Sequence, residues 1–372
     1  MEPTISLPSI AADHRSRAIT SMLLLLSALS FAPIATAQTP LPFIDAHTHL
    51  FRGRHEAGRG RGMHLGPGTG GEIAADSVSN ALALMDRFGV TFAILMPPPL
   101  SAGREDPDLA TELQSVARDN PTRFAYAAGG ESLNPLIQST PPNSVTPEVL
   151  NRFQQQAEAI AATGAAAFGE LAAEHFSSHI GNHPYESAPP DHPLLLALAD
   201  IAAKYDMPIE LHMEAIPRDM PFPKPDIAGP PNPATLTENI KAFERLLDHN
   251  PKARIVWAHA GWDLTGERTV PLMRSLLAKH PNLYMSVKSD KAGTPATAPF
   301  RLGDGLKPGW LAMLQAFPDR FVVGSDQFYD DEETIRTHRA RIFVDSLPPE
   351  IAHKIASENA KHIYRLPAAL RN

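Results

Sequence analysis

Short apolar runs with β-strand character alternate along the chain with segments of helical pattern, and this alternation constrains the fold more than any other feature. Several runs are apolar at nearly every position, which is typical of parallel strands covered on both faces. Intervals of roughly 30 to 50 residues suit a strand, a loop and a helix each time. The eight runs are Phe43–Ala46, Thr91–Met96, Arg123–Ala128, Ala165–Leu171, Pro208–His212, Arg254–Ala258, Leu283–Val287 and Arg320–Gly324.

The intervening segments carry helix signals. Thr146, Pro147 and Glu148 supply an N-cap, a proline at the first helical position and an early acid. Helical patterns also cover Leu194–Tyr205 after Asp191, Asn239–His249, and Val270–His280. Eight strand–helix units close most economically into an α/β fold of the (β/α)8 TIM-barrel type. An open doubly wound sheet is the alternative, but its usual glycine-rich phosphate turn is missing after the first strand.

The N-terminus has the pattern of a cleavable signal peptide. Arg15 and Arg17 precede an apolar stretch around Met22 to Leu29, and the small residues Ala35 to Ala37 follow. The stretch is short for a membrane span and is interrupted by Pro33, so a retained anchor is the less favoured alternative. We therefore predict a signal peptide at residues 1–37, a single barrel domain at 38–372, and a periplasmic or secreted protein.

Composition narrows the partners of this domain. The chain has no cysteine, so stability in an oxidising compartment must come from its core and not from disulfides. A net charge of −8 argues against non-specific nucleic-acid binding. We expect a small-molecule substrate, no nucleic-acid partner, no membrane contact after signal cleavage, and leave homo-oligomerisation open.

Polar residues able to bind a metal lie at or near the C-terminal ends of five of the eight runs, where barrel enzymes place catalytic groups. His47 and His49 lie two residues apart on a strand, so both imidazoles point the same way. A lone histidine after a strand is more often structural, but four histidines and two acids at one barrel end need a cation to offset the buried charge. The predicted metal ligands are His47, His49, Glu170, His212, His259 and Asp326.

Four stretches resemble the amidohydrolase superfamily, in particular its amidohydrolase-related branch. They are Asp45–Leu50 (DAHTHL), the strand-end residues His212 and His259, Gly324–Asp326 (GSD), and the closing segment Glu358–Tyr364. The resemblance implies a distorted (β/α)8 barrel with one or two divalent ions. It implies that His47, His49 and Asp326 bind the first ion. His212 and His259 would bind a second ion or divide between ligand and catalytic duty.

Glu170 bears on the number of ions. Two-metal members of the superfamily, such as those similar to phosphotriesterase, carry a bridging group on the fourth strand, and Glu170 stands at that position. Decarboxylase members that resemble aminocarboxymuconate semialdehyde decarboxylase use one ion without such a bridge. Two ions are therefore favoured, and the alternative role of Glu170 is to orient His212 or His259 from outside the ligand set.

The expected activity is that of a metal-dependent hydrolase acting on an ester, amide, lactone or phosphoester bond. Asp326 would take a proton from metal-activated water, and His259 or the second ion would polarise the scissile bond. The nitrogen and oxygen ligands suit several divalent metals, with zinc the default expectation. A metal-dependent decarboxylase is the main alternative, and a non-catalytic periplasmic metal- or ligand-binding barrel is a third.

Basic residues near the predicted site hint at an anionic substrate. Arg52 lies in the arginine-rich loop after the first strand, and Lys288 follows the seventh strand. Together they could receive a carboxylate or phosphate, although a solvated basic loop and a paired lysine explain them equally well. Trp262, His183 and Tyr185 are further candidates for the pocket wall.

Overall fold

Within the described residues of the computed structural model, eight successive parallel strands form the central sheet. The model describes residues 40–50, 73, 75–179, 183–229, 231–289, 296–301, 305–329, 335–366 and 370. The predicted signal peptide and Arg52 lie outside these residues, so both stay predictions. The strands are β1 (Phe43–His49), β2 (Val90–Leu95), β3 (Phe124–Tyr126, continued by Ala128–Gly129), β4 (Phe168–His175), β5 (Ile209–Met213), β6 (Ile255–Ala260), β7 (Leu283–Val287) and β8 (Phe321–Val323).

The pairing of the strands returns on itself. β1 pairs with β2 on one side and with β8 on the other, and β4 to β8 pair in chain order. The first segment of β3 pairs with β2 and the second with β4, and Ala127 is the residue between them. The sheet therefore closes into a (β/α)8 barrel, which confirms the predicted fold class and shows that the open-sheet alternative is wrong.

Each strand is followed by at least one helix. Thr146 caps α4 by accepting a hydrogen bond from the Val149 amide, as its sequence pattern predicts. The helix predicted at Leu194–Tyr205 begins one residue earlier, at Pro193, and its N-cap is His192 and not Asp191. The helices are α1 (Ala75–Phe88), α2 (Pro107–Asp119), α3 (Leu133–Ser139), α4 (Pro147–Ala162), α5 (Pro193–Tyr205), α6 (Ile240–His249), α7 (Val270–Lys279), α8 (Pro308–Ala316), α9 (Ile335–Asp345), α10 (Pro349–His353) and α11 (Asn359–Ile363).

Short elements complete the connections between strands and helices. A turn of 3-10 helix spans Pro142–Ser144, and a π-helical turn, Lys354–Glu358, joins α10 to α11. The two-residue strands are Glu186–Ser187 beside β4, Gln327–Phe328 beside β1, Met220–Pro221 paired with Thr235–Leu236, and Phe300–Arg301 paired with Gly305–Leu306. No helix among the described residues is both long and apolar enough to cross a bilayer.

The barrel interior is filled at one end by apolar side chains and left polar at the other. Ile44, Ile94, Val256 and Val322 belong to one buried cluster, and Tyr364 after α11 packs against it. Ile44 and Ala46 of β1 pack in this cluster against residues of other barrel strands, whereas His47 and His49 lie at the polar end. In a regular strand the side chains of residues 44 and 46 would lie on the opposite face from those of residues 47 and 49. The pairing of β1 with β2 is irregular between Asp45 and Thr48, and this irregularity lets both sets face the barrel interior.

Gly130, which follows β3, has no room for a side chain. A Cβ there would lie 2.7–2.8 Å from the carbonyl oxygens of Pro97, Pro98 and Glu170. Because all three are backbone atoms, Gly130→Ala should lower the free energy of unfolding by about 1–3 kcal/mol. Gly309→Ala is the matched control, since a Cβ there meets one methyl group at 3.8 Å. Urea unfolding curves measure both, and equal stability of the two variants would contradict the prediction.

Candidate metal centre and active site

The six predicted metal ligands meet at the polar end of the barrel. All six are buried, between 0% and 7% exposed. Three overlapping groups each place their ligand atoms within 4.8 Å of one another. The groups are His47, His49 and Glu170; His47, His259 and Asp326; and Glu170, His212 and His259. Side chains from five strands and their ends therefore converge on one small volume.

Glu170 lies at the centre of this cluster. Its Oε1 is 2.9 Å from His212 Nδ1 and 3.0 Å from His259 Nε2. Its Oε2 lies on the other side, 3.5 Å from His47 Nε2 and 3.7 Å from His49 Nε2. Each carboxylate oxygen thus faces a different pair of histidines. β4 begins later than predicted and continues to His175, so Glu170 lies within the strand and not at its end.

Asp326 joins the histidine cluster to two cationic side chains. Its Oδ1 is 3.0 Å from His49 Nε2 and 3.9 Å from His47 Nε2. Its Oδ2 accepts hydrogen bonds from Lys288 Nζ at 2.5 Å and from Arg336 Nη1 at 2.8 Å. Lys288 therefore does reach the site, as its position after β7 suggested.

The backbone at two of the strand ends adopts an uncommon conformation. His259 has φ of +65° and Asp326 has φ of +57°, both in the left-handed region. Such a conformation costs a non-glycine residue about 1–3 kcal/mol and is concentrated at functional sites. At Asp326 it is held by a hydrogen bond from the backbone amide to the His47 carbonyl at 2.9 Å. The tertiary structure therefore maintains an unfavourable backbone conformation at both residues, and this conformation sets the direction of their side chains.

The pKa values of His47 and Glu170 move in opposite directions. Burial would lower the pKa of His47, but the carboxylates of Glu170 and Glu210 outweigh it and raise the pKa to about 10. Burial would raise the pKa of Glu170, but the positive His47 and hydrogen bonds from His212 and His259 hold it well below its usual range. Glu170 is therefore an anion throughout the neutral range.

The pKa values of Asp326 and His259 are both depressed. Burial would raise the pKa of Asp326, but the cations Lys288 and Arg336 hold it well below its usual range. Burial, followed by the charge of Lys288, lowers the pKa of His259 well below its usual range. A neutral imidazole and an ionised carboxylate are the forms that bind metal ions.

The donor set fits a divalent cation. Among the described residues, neither ring nitrogen of His47 nor Nδ1 of His259 has a hydrogen-bond partner. Buried polar atoms are rarely left unpaired, so these nitrogens call for a ligand. The imidazole nitrogens and carboxylate oxygens of the cluster suit Zn²⁺, Mn²⁺, Fe²⁺ or Ni²⁺.

An open cavity, whose volume of about 680 Å³ includes adjoining solvent, lies beside the cluster. Its walls combine polar groups from the cluster with apolar side chains, including Trp262 and Phe328. His183 also lines it, as the sequence suggested. Tyr185 instead donates a hydrogen bond to Glu174 Oε1 at 2.8 Å. The lining residues are His49, Pro98, Pro99, Glu170, His175, Phe176, Ser178, His183, His212, Glu214, Ile227, His259, Trp262, Leu264, Lys288, Asp326, Phe328 and Arg336.

Sequence reasoning missed several residues of the site. Arg336 comes from α9, after the last barrel strand, and no motif marks it. Glu210 and Glu214 flank His212 at the same strand parity, a signal that could have identified them. His175 stacks on His212 with ring centroids 4.3 Å apart and was also missed.

Comparison with known proteins agrees with this architecture. The Amidohydrolase family model (Amidohydro_2) matches residues 44–366. No curated protein sequence matches the chain significantly.

Three of the similar solved structures span nearly their whole length in the alignment with this chain. A 2,6-dihydroxybenzoate decarboxylase from Rhizobium is 16% identical, with 87% of this chain and 99% of that one covered and a TM-score of 0.49. A dihydroxybenzoic acid decarboxylase from a Polaromonas species, with bound manganese and 2-nitroresorcinol, is 14% identical (88% and 98% covered, TM-score 0.49). A probable 2-pyrone-4,6-dicarboxylic acid hydrolase from Acinetobacter baumannii, with bound citric acid, is 13% identical (87% and 100% covered, TM-score 0.45).

The family model covers most of the chain, and its range includes all six candidate ligands and every barrel strand except the first residue of β1. The chain therefore belongs to the amidohydrolase family and is an enzyme of the amidohydrolase superfamily.

Proposed function

We propose that this enzyme is a metal-dependent hydrolase that cleaves an ester, amide, lactone or phosphoester bond in a small anionic molecule. The observation that carries the proposal is the central position of Glu170, whose two oxygens face different histidine pairs. A carboxylate so placed can bridge two cations, and the resemblance links such a bridge to hydrolytic members of the superfamily.

In this proposal His47, His49 and Asp326 would hold a first ion, His212 and His259 would hold a second, and Glu170 would be a ligand shared by both. Divalent ions bound there, for which zinc is our expectation, would lower the pKa of bound water to about 7 and would polarise the bond to be cleaved. The cavity beside the cluster admits the substrate, and its apolar walls exclude bulk water from the reacting groups.

Asp326 has the role of proton acceptor and donor. Its Oδ1 faces the histidine cluster, while Lys288 and Arg336 hold Oδ2. These cations keep the pKa of Asp326 low, so the carboxylate is ionised in the neutral range. Only this ionised form could take a proton from the attacking water. The same proton then passes to the leaving group. His259, which faces Glu170 Oε1 through Nε2, would bind the second ion or polarise the bond to be cleaved.

A metal-dependent decarboxylase is the second candidate, and the cationic side of the cavity favours it. Lys288 and Arg336 both line the cavity next to Asp326 and could hold the carboxylate of an acid substrate. Such a reaction needs neither a bridging carboxylate nor a nucleophilic water. The two candidates therefore differ in ion count and in the fate of water.

The ion count gives the first test. Purified protein loaded with zinc should hold close to two ions per chain by elemental analysis, and Glu170→Ala should lose at least one, because the bridging carboxylate is gone. Glu131→Ala is the matched control, since this buried glutamate is bonded to Gly129 and Ser132 away from the cavity. A single ion per chain that is retained in Glu170→Ala would favour the decarboxylase.

The fate of water gives the second readout of the same proposal. Candidate esters, lactones and amides that carry a carboxylate are incubated with the loaded enzyme in ¹⁸O-labelled water. Hydrolysis places the label in the product acid, whereas decarboxylation releases carbon dioxide and leaves the ring or chain unlabelled.

A further inference from the structure

We propose that Glu210 and Glu214 are positioning residues for the two candidate ions, one for each. When the ions are bound, Glu210 would accept a hydrogen bond from Nδ1 of His47, and Glu214 would accept one from Nε2 of His212. This inference rests on the two-ion site proposed above and adds the groups outside that site which orient its ligands.

Glu210 is held at one oxygen and unpaired at the other. The residue is fully buried, and its Oε1 accepts a hydrogen bond from the Tyr364 hydroxyl. Its Oε2 lies 3.7 Å from His47 Nδ1. Neither of these two facing atoms has a hydrogen-bond partner among the described residues. A buried acceptor and a buried ring nitrogen thus stand opposite each other with nothing else to satisfy them.

Glu214 repeats this arrangement four residues further along the chain. It is 3% exposed, and its Oε2 accepts a hydrogen bond from the Leu264 amide at 2.9 Å. Its Oε1 is 3.8 Å from His212 Nε2 and has no hydrogen-bond partner within the described residues. The carbonyl of Glu214 is fixed as well, by the Asn239 side chain at 2.9 Å.

The two histidines present opposite nitrogens to the centre of the cluster. His47 turns Nε2 towards Glu170, which leaves Nδ1 for Glu210. His212 turns Nδ1 towards Glu170, which leaves Nε2 for Glu214. A metal-binding histidine usually donates its outer N–H to a carboxylate or carbonyl, which fixes the tautomer and the ring orientation. The geometry here therefore matches each ring to its own acceptor.

His49 supports this interpretation independently. Its Nε2 faces Asp326 at 3.0 Å, and its Nδ1 is 2.9 Å from the Met96 carbonyl oxygen. For Glu210 and Glu214 the gaps exceed hydrogen-bonding range by roughly 0.5 Å. A shift of each ring by about 0.5 Å towards its glutamate would complete both hydrogen bonds.

The strand parity of β5 explains how one element can serve both ions. Residues 210, 212 and 214 alternate with residues of the opposite face, so a ligand and two acceptors point into the barrel together. Glu210 faces His47 on β1, a candidate ligand of the first ion. Glu214 faces His212 on its own strand, a candidate ligand of the second ion. The two acceptors should therefore act on different ions.

The experiment is a zinc titration of the purified full chain in competition with a chromogenic chelator. Glu210→Met and Glu214→Met, which remove the acceptor, should each weaken one ion by about 10- to 100-fold and leave the other nearly unchanged. Glu210→Gln and Glu214→Gln, which retain an acceptor oxygen, should lose less. Glu131→Met, a buried glutamate away from the cavity, should bind both ions as the unaltered protein does.

A His212→Ala background assigns each effect to an ion. There the second ion is lost, so Glu214→Met should have no further effect on the remaining ion, while Glu210→Met should still weaken it. Unchanged affinities in both methionine variants would overturn the inference, as would weakening of the same ion by both.

Two outcomes keep this inference distinct from the proposed function. If the unaltered protein binds one ion, the two-ion function fails, and Glu210→Met still decides whether Glu210 orients the ligand of that ion. If Glu210→Met does not fold, Tyr364→Phe is used in its place. This variant removes the hydrogen bond to Glu210 Oε1 and leaves His47 unaltered. That variant should weaken the first ion several-fold, and an unchanged affinity would contradict the role of Glu210.

Discussion

Asp326→Asn should lower turnover by about 10²- to 10⁴-fold while leaving the fold and much of the bound metal in place. The amide oxygen can still coordinate an ion, and the amide nitrogen cannot accept the proton that the carboxylate takes. The contacts from Lys288 and Arg336 keep this carboxylate ionised, so asparagine removes a base that is available throughout the neutral range.

The measurement is kcat on a substrate identified in labelled water, with metal content determined on the same sample. Glu131→Gln is the matched control, because Glu131 is also buried and bonds to the Gly129 amide and the Ser132 hydroxyl, away from the cavity. Turnover close to that of the unaltered enzyme, with metal retained, would mean that another group moves the proton.

Lys288→Met should raise KM for an anionic substrate by about 10- to 100-fold and leave KM for a neutral analogue nearly unchanged. A hydrogen bond to a charged group contributes about 1.5–3 kcal/mol, which corresponds to this range. Lys288 lines the cavity and is 3% exposed, so solvent screens its charge little. Its ammonium also lies 3.9 Å from the centre of the Trp262 ring, which fixes its position.

Comparing the two substrates separates anion binding from the contact between Lys288 and Asp326. Loss of that contact changes kcat for both substrates, whereas the ratio of the two KM values reports the anion alone. Lys279→Met, which removes an exposed lysine paired with Glu244, controls for the change in net charge. An equal rise in KM for the acidic and the neutral substrate would mean that Lys288 has a structural role. It would also contradict the prediction that Lys288 and Arg52 together bind an anionic group of the substrate.

The candidate ligands could be predicted from the chain because they obey local rules. A parallel strand covered on both faces is recognisable as an apolar run, and the residue that follows it lies at the active end of a barrel. His47 and His49 needed no more than strand parity to be placed side by side. All six predicted ligands then met in the structure because eight strands share one barrel axis.

Residues whose role depends on distant contacts could not be predicted in this way. Arg336 reaches Asp326 from a helix beyond the last strand, and Tyr364 reaches Glu210 from 154 residues further along the chain. The irregular pairing of β1 between Asp45 and Thr48 also has no local signature. It follows from how two strands fit together and not from the residues in either one.

The amino-acid sequence by itself determined the number and order of the strands and the barrel class, because these follow from hydrophobic periodicity along short segments. It also indicated the six candidate ligands, because they lie near the ends of those segments. Only the tertiary structure decided which oxygen of Glu170 faces which histidines, which cations hold Asp326, and which glutamate stands behind each imidazole. Those relations are distances between side chains on different strands. They depend on barrel closure and on the rotation of each ring, neither of which is encoded in any single stretch of chain.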